Sequence, residues 1–96
     1  SKKFVPSNNP DTIADGLLTS LGKYSFPIIL KYVNQIITVE EESIINAMKL
    51  IFQRLKLVIE PSAAVPLAAV LSEPEIFNNE KVVIILSGGN IDLQLF

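Results

Sequence analysis

The sequence predicts part of an α/β fold that is incomplete in this chain. Helical patterns alternate with short apolar runs, and residues 81–86 end in five consecutive apolar residues without alternation. Strands of that kind are typically buried on both faces of a parallel sheet. Such a strand needs backbone partners on each side, and the other strand candidates are few and weak. We therefore expect the rest of the sheet to come from upstream polypeptide or from a partner chain.

The composition supports the same prediction. The chain has 96 residues, which suits one small domain, yet 49% of them are hydrophobic. Small domains bury a smaller share of their surface than large ones, so part of this apolar load is expected on the outside. Large exposed apolar patches usually mark an interface. The surplus is therefore interpreted as surface that meets more protein.

Charge and residue types exclude several classes of function. Eight basic and ten acidic residues give a net charge of −2, and no basic stripe indicates nucleic-acid binding. Cysteine and histidine are absent, so this chain alone supplies neither a disulfide framework nor a histidine-based triad. No apolar run approaches the roughly 20 residues of a membrane span, and the start lacks the apolar core of a signal peptide. We expect a cytoplasmic location and no membrane partner.

The first elements are a loop and a helix. Residues 1–10 contain a cluster of Pro, Ser and Asn that is typical of a loop. Asp11 is placed to cap a helix that runs to about Leu21, with Gly22 as its stop.

A second helix is predicted from near Ser25. Pro27 then falls in its first turn, where proline is tolerated. Residues 35–39 are rich in β-branched side chains and form a weak candidate for a short strand.

The clearest helix covers residues 40–56. Thr38 and Glu41 have the spacing of a capping box, and three glutamates lie in the first turn, where the helix dipole favours anions. The glutamates are interpreted as a solvated helix start rather than a cation site. A stripe at helical spacing is interpreted as the side facing the core, with an interaction surface as the alternative. Its members are Ile44, Met48, Ile51 and Leu55.

A fourth helix is predicted over residues 62–71, which are small and apolar. Pro61 breaks the ambiguous segment that precedes it. Pro66 would be unfavourable in a helix interior, so we expect the helix to begin near Ala63, where early N–H groups have no internal acceptor. Residues 73–80 are predicted to be a polar connection to the strand at 81–86.

The sharpest local motif is Ser-Gly-Gly-Asn at residues 87–90, directly after that strand. Ligands of parallel α/β proteins bind beyond the carboxyl ends of the strands. The Ser87 hydroxyl can donate or accept a hydrogen bond, and glycines let the backbone approach a flat ligand closely. The same composition also occurs in ordinary turns, which remain an alternative interpretation.

Two further motifs have both a plain and a functional interpretation. Glu60 lies between an apolar run and a helix start, so it is either an exposed acid favoured by the helix dipole or an acid beside a bound cofactor. Residues 11–16 are, taken alone, a capped helix start that tolerates Gly16.

These three motifs occur together, in this order, in one family. The segments 12–16 (Thr-Ile-Ala-Asp-Gly), 59–63 (Ile-Glu-Pro-Ser-Ala) and 86–93 (Leu-Ser-Gly-Gly-Asn-Ile-Asp-Leu) resemble the C-terminal third of serine racemases and serine/threonine dehydratases. Biosynthetic threonine deaminases usually have Ala after Ser-Gly, so Gly89 favours the racemase and catabolic dehydratase branch. We expect no regulatory domain to follow.

The resemblance implies a fold-type II pyridoxal-phosphate enzyme, with a three-layer α/β/α, tryptophan synthase β-like architecture. Residues 1–96 would be the C-terminal portion of the large cofactor-binding domain and no complete domain by themselves. It further implies that Ser87 meets the pyridine nitrogen, with Gly88 in the same pocket. Glu60 would lie near the ring, the Gly16 backbone would line the pocket, and Asn90 would contact a nucleotide effector.

The resemblance also implies that much of the active site lies outside this chain. The Schiff-base lysine, the glycine-rich phosphate loop and the carboxylates that hold Mg²⁺ or Ca²⁺ are all expected upstream, and none of the seven lysines here matches the required context. No catalytic residue and no metal ligand is assigned to this chain. The expected partners are the remainder of the enzyme, serine or threonine, an ATP effector and a second subunit of a homodimer.

The sequence leaves two alternative functions for this chain. The first is part of a serine/threonine ammonia-lyase or serine racemase, which removes the α-proton of its substrate and then either eliminates the β-hydroxyl or returns the proton to the other face. The chain alone is expected to be inactive. The second is a small, non-catalytic α/β regulatory or dimerisation module. Upstream sequence that supplies the missing lysine would favour the enzyme.

Overall fold

The computed structural model describes residues 11–14 and 20–95, without the side chain of Leu95. Three α-helices and a short 3₁₀ turn make up the regular structure of these residues, and none of them is assigned to a strand. The helices are α1 (Ser25–Tyr32), α2 (Glu41–Leu55) and α3 (Pro61–Ser72), and the 3₁₀ turn is Leu93–Leu95.

Helix α1 confirms the prediction of a helix from near Ser25. Pro27 lies in its first turn, where a missing N–H costs nothing. The N–H of Phe26 donates to the carbonyl of Gly22 at 3.1 Å, which joins the preceding turn to the helix. None of the residues of α1 is buried.

Helix α2 has the predicted extent but not the predicted cap. Its N-cap is Glu40, and no side chain caps the first turn, so the capping box of Thr38 and Glu41 is wrong. The Glu41 carboxylate instead accepts the N–H of Ile13 at 3.1 Å. An acid in the first turn is still favoured by the helix dipole. Here that acid also ties a distant segment to the helix start.

The end of α2 depends on an unusual residue. Lys56 adopts the left-handed conformation, with φ of 59°, at a position that glycine commonly takes. Its backbone N–H donates to the Phe52 carbonyl at 3.0 Å, and its Nζ donates to the Gln53 carbonyl at 2.7 Å. Both bonds satisfy carbonyls that the helix end would otherwise leave without partners.

Helix α3 begins at Pro61, earlier than predicted. Proline suits this first position, but the earlier start places Pro66 inside the helix, so the expected beginning near Ala63 is wrong. Pro66 has no N–H to donate to the carbonyl four residues before it. The apolar packing of the helix compensates for that lost bond.

Helices α2 and α3 pack on each other and form the core. The Ser72 hydroxyl donates to the Ser43 hydroxyl at 3.4 Å, so the end of α3 meets the start of α2 and the two helices run antiparallel. The side of α3 that faces the core is made of alanines, which lets the backbones approach closely. The buried residues of this cluster are Ile44, Ala47, Met48, Ile51, Ile59, Ala63, Ala64 and Ala68.

The predicted core stripe of α2 is confirmed in three of its four members. Ile44, Met48 and Ile51 are buried, whereas Leu55 is 58% exposed. Leu55 lies at the last turn, and it lines an apolar cavity of about 250 Å³ between the helix pair and the segment that contains Ile84 and Leu86.

The helix predicted from Asp11 to about Leu21 is not found at its described ends. Residues 12–14 and 20–21 are not helical, and residues 15–19 lie outside the described part, as does the loop predicted at 1–10. The Thr12 hydroxyl accepts the N–H of Ala14 at 3.2 Å, and Glu41 takes the N–H of Ile13. Such side-chain bonds offer the backbone an alternative to the helix.

The strands predicted at 35–39 and 81–86 are not confirmed. Both segments are described, and neither is helical or paired in a ladder. A strand is recognised by hydrogen bonds to a neighbouring strand, and the sequence already predicted that the neighbours of 81–86 are not supplied here. The α/β class is therefore not established by the described residues.

Much of the apolar surface stays exposed. In the segment that follows α3, Val83 is 90% and Ile85 is 76% exposed, and Tyr24 and Ile28 at α1 are 79% and 58% exposed. Among the described helices, none is both long and apolar enough to cross a membrane. The exposed apolar surface is consistent with the expected contact with further protein.

Candidate functional site

The structure brings two of the three sequence motifs into direct contact. The backbone N–H of Glu60 donates to the carbonyl of Gly88 at 3.0 Å. The segment before α3 and the Ser-Gly-Gly-Asn motif therefore lie side by side, although they are 28 positions apart. This bond places the acid and the serine of the two motifs at the same edge of the molecule.

Glu60 is positioned by the start of α3. It is the N-cap residue, with extended backbone angles, and its carbonyl accepts the N–H of Ala63 at 3.0 Å. Its side chain makes no capping hydrogen bond and is half-buried rather than exposed. The carboxylate instead lies against Gly88. The plain interpretation of Glu60 as an exposed acid at a helix start is thus not what the structure describes.

Ser87 and Asn90 flank the two glycines and are both exposed. Ile91, next in sequence, is half-buried and packs against the core cluster, so it anchors the end of the motif. The Asp92 carboxylate accepts the N–H of Gln94 at 2.9 Å and starts the final 3₁₀ turn. The motif is therefore held at both ends, by the bond to Glu60 and by Ile91, with its polar side chains outward.

Sequence reasoning missed one neighbour of this motif. A Cβ on Gly89 would lie 2.8 Å from the Val58 carbonyl oxygen. Gly89 thus permits a close approach of protein backbone, whereas we expected the glycines to permit the approach of a ligand. No signal in the sequence identifies Val58, because its carbonyl takes part through the backbone and not through the side chain.

The third motif docks elsewhere. Thr12 and Ile13 lie at the start of α2, and Thr12 lines an apolar-walled cavity of about 300 Å³ with Val39, Ile44 and Val65. Gly16, predicted to line the cofactor pocket, lies outside the described residues.

The two motifs in contact present a hydroxyl at Ser87, a carboxylate at Glu60 and an amide at Asn90 along a glycine backbone. These groups can donate and accept hydrogen bonds. Within the described residues, no group of three or more His, Cys, Asp or Glu side chains is arranged to hold a metal ion. The class that this arrangement suits is part of a larger protein, because the described residues leave much of their apolar surface exposed.

Comparison with known proteins specifies the family. The family model described as pyridoxal-phosphate dependent enzyme matches residues 1–88, and the chain belongs to that family. The predicted resemblance is confirmed.

Individual relatives agree with this assignment. Serine racemase of Dictyostelium discoideum is 50% identical over 95 residues, which are 97% of this chain and 29% of that protein. Its crystal structure matches with a TM-score of 0.81 at 48% identity, over 92% of this chain and 29% of that one. The beta-hydroxyaspartate dehydratase of Paracoccus denitrificans is 43% identical over 91 residues, 95% of this chain and 29% of that protein.

A third relative is known from its structure. The threonine deaminase of T.th. matches with a TM-score of 0.83 at 45% identity, over 90% of this chain and 31% of that one. This chain therefore spans about 30% of the length of the relatives that it matches.

The chemistry of the described residues is compatible with one edge of pyridoxal phosphate. A hydroxyl such as that of Ser87 could bond a ring nitrogen, and the bond from the Glu60 backbone N–H to the Gly88 carbonyl keeps Glu60 next to the same motif. The covalent link and the phosphate need other groups. All the described lysines are exposed: Lys23, Lys31, Lys49, Lys56 and Lys81.

Proposed function

We propose that this chain is the C-terminal portion of the large cofactor-binding domain of a serine/threonine ammonia-lyase or serine racemase. The observation that carries the proposal is the 3.0 Å bond between the Glu60 N–H and the Gly88 carbonyl. It joins the two motifs that the resemblance assigns to the cofactor ring. The names of the relatives, racemase, dehydratase and deaminase, support an amino-acid substrate with a β-hydroxyl group.

In this proposal, Ser87 meets the pyridine nitrogen and Glu60 lies near the ring. Bound pyridoxal phosphate supplies an electron sink that makes the α-proton of an amino acid acidic. The Ser87 hydroxyl is neutral, so it does not favour a protonated ring nitrogen as a carboxylate would. Ser87 thereby limits how much negative charge is delocalised into the ring. The Glu60 carboxylate alters the electrostatic field around the ring.

The remainder of the enzyme completes this site. Upstream polypeptide supplies the linking lysine, the phosphate loop and the Mg²⁺ or Ca²⁺ ligands, as well as the strands beside residues 81–86 that make the sheet of an α/β/α fold. The same proposal includes a homodimer, an ATP effector at Asn90 and a cytoplasmic location. The exposed apolar segment around Val83 and Ile85 supports the missing sheet neighbours.

The alternative of a small non-catalytic module has less support. The family model matches most of the chain, and the relatives named above are enzymes. The bond between Glu60 and Gly88 also joins the two motifs implicated in the site, which a dimerisation module would not require.

The first test is a pair of substitutions at Ser87 in the assembled enzyme. Ser87→Ala should weaken cofactor binding by about 1 kcal/mol, the usual net value of one hydrogen bond. Ser87→Asp should raise the pKa of the ring nitrogen, because the negative charge favours its protonated form. The cofactor absorbance with serine bound and the ratio of racemisation to elimination should then both change.

The matched control is Ser72→Ala, at the far end of α3, which should leave cofactor binding unchanged. If both Ser87 variants keep the wild-type spectrum and reaction ratio, Ser87 is a turn residue and the proposed orientation of the cofactor is wrong. If the assembled enzyme binds no pyridoxal phosphate, the proposed function itself fails.

A further inference from the structure

Gly88 and Gly89 are not required by their backbone conformation. Among the described glycines, none has a positive φ, so other residues could adopt the same angles. What each glycine provides is space. A Cβ on Gly88 would meet the Glu60 carboxylate, and a Cβ on Gly89 would lie 2.8 Å from the Val58 carbonyl oxygen.

The two obstructions differ in kind. At Gly89 the obstructing atom belongs to the backbone, which cannot move without separating two chain segments. At Gly88 it is Oε1 of Glu60, the far end of a flexible side chain, with Cδ 3.4 Å from the same point. A methyl group at position 88 would therefore displace the carboxylate and leave the backbone in place.

We infer that Gly88 is a positioning residue, because its missing side chain leaves the space in which the Glu60 carboxylate lies and so fixes the direction in which that carboxylate faces a ligand at Ser87. This inference rests on the proposed function. The Gly88 carbonyl also accepts the Glu60 N–H, so one residue bonds the backbone of the acid and leaves room for its side chain.

The consequence is that Gly88 acts through Glu60 and not through its own contact with the ring. A carboxylate near the cofactor alters the protonation of neighbouring groups by its charge, and this effect falls as the carboxylate moves away. Gly88→Ala should thus reproduce the electronic effect of losing the carboxylate, with little change in the free energy of unfolding.

The test is a double-mutant cycle in the assembled enzyme with Gly88→Ala, Glu60→Ala and the combination. Gly88→Ala alone should shift the cofactor absorbance and its pH dependence, and should change cofactor affinity by about fivefold, the equivalent of one hydrogen bond. In the Glu60→Ala background the same substitution should have no further effect, since no carboxylate remains to be displaced. Equal effects in both backgrounds would overturn the inference.

A crystal structure of the Gly88→Ala apoenzyme gives a second readout that is independent of the cofactor. The Glu60 carboxylate should have moved to ordinary contact distance, 3.4–4 Å from the new methyl group, while the bond from the Glu60 N–H to residue 88 persists. A carboxylate that stays in place, with the backbone displaced instead, would overturn the inference.

The matched control is Gly22→Ala, where the nearest atom to a new Cβ is 4.0 Å away. It should leave both the spectrum and the affinity unchanged. The inference and the proposed function fail in different ways. An enzyme without pyridoxal phosphate contradicts the function, whereas an enzyme that binds it but responds to Gly88→Ala independently of Glu60 contradicts only the inference.

Discussion

Helix α1 and the pair α2–α3 have similar apolar content on one side but opposite environments. The pair contributes seven buried residues to a shared cluster that Ile59 completes, whereas no residue of α1 is buried. Ile28 in α1 is 58% exposed and Met48 in α2 is 5% exposed. The difference shows that α2 and α3 serve as packing partners for each other, while α1 presents apolar surface that the described residues do not cover. Substitutions in the two regions should therefore respond differently to assembly of the whole enzyme.

The largest effect is expected in the core pair. Met48→Ala removes a buried side chain from the contact between α2 and α3, and should lower the free energy of unfolding of the assembled enzyme by about 2–5 kcal/mol. Urea denaturation measures this loss. Asn46→Ala, at an exposed position of the same helix, should stay within about 0.5 kcal/mol of wild type. Equal losses would contradict the assignment of the core.

The next substitution tests the comparison directly at α1. If further protein covers Ile28, Ile28→Ala should cost the assembled enzyme roughly 1.5–3 kcal/mol, the value of burying such a side chain. A surface residue would cost about 0.5 kcal/mol or less. The same denaturation experiment applies, with Lys31→Ala on α1 as the control. A loss at Ile28 no larger than that at Lys31 would mean that α1 remains solvated.

A smaller loss is expected where Gly89 approaches the segment that precedes α3. Gly89→Ala places a methyl group against the Val58 carbonyl oxygen, and should cost about 1–3 kcal/mol, as overpacking usually does. Thermal unfolding of the assembled enzyme, beside Gly22→Ala, measures it. If Gly89→Ala left the thermal unfolding unchanged, the segment at Val58 would be free to move. That result would contradict a rigid edge at the site.

The smallest effect concerns a pair of neighbouring acids beyond α3, Glu73 and Glu75. A hydrogen bond with Glu75 and its negative charge raise the pKa of Glu73, while a backbone hydrogen bond and the bond with Glu73 lower the pKa of Glu75. Glu75→Gln should return the pKa of Glu73 towards its ordinary value, as followed by NMR titration of the side-chain carboxyl carbon. An unchanged pKa would contradict the pairing.

The sign of any pH effect follows from these directions. Glu73 has a raised carboxyl pKa. Its contribution to stability is therefore fully present below its pKa in the unfolded chain, and is lost as the pH rises through its pKa in the folded protein. The lowered pKa of Glu75 acts in the opposite sense and is lost as the pH falls. Because the two contributions oppose each other, the stability of the enzyme should depend little on this pair.

Helices were predictable where local pattern determines them. The stripe of α2 placed both ends of that helix to within one residue, and the first-turn proline of α1 placed its start. The start of α3 was predicted too late in the chain, because we expected Pro66 to lie outside the helix interior. In the structure Pro66 lies inside the helix. Propensity is a weak guide where tertiary packing favours the helix.

Features that depend on distant partners were not predictable in the same way. The sequence predicts that Glu41 takes part in a local capping box, whereas in the structure its carboxylate accepts the N–H of Ile13. The run at 81–86 has the composition of a buried strand, yet a strand requires neighbours that the described residues do not provide. The sequence singled out Gly88 and Gly89 for the approach of a ligand, whereas the atoms that a Cβ at these positions would meet belong to Glu60 and Val58.

The bond between Glu60 and Gly88 also has a consequence for the order of folding. It closes a loop of about 28 residues, whose entropic cost is roughly 3 kcal/mol, whereas one hydrogen bond returns about 1 kcal/mol. The bond alone cannot keep this loop closed, so the packing of α3 within the loop must supply the difference. The edge that carries Glu60 and Ser87 should therefore form late, after α3 has docked on α2, and any loosening of that helix pair would open the edge first.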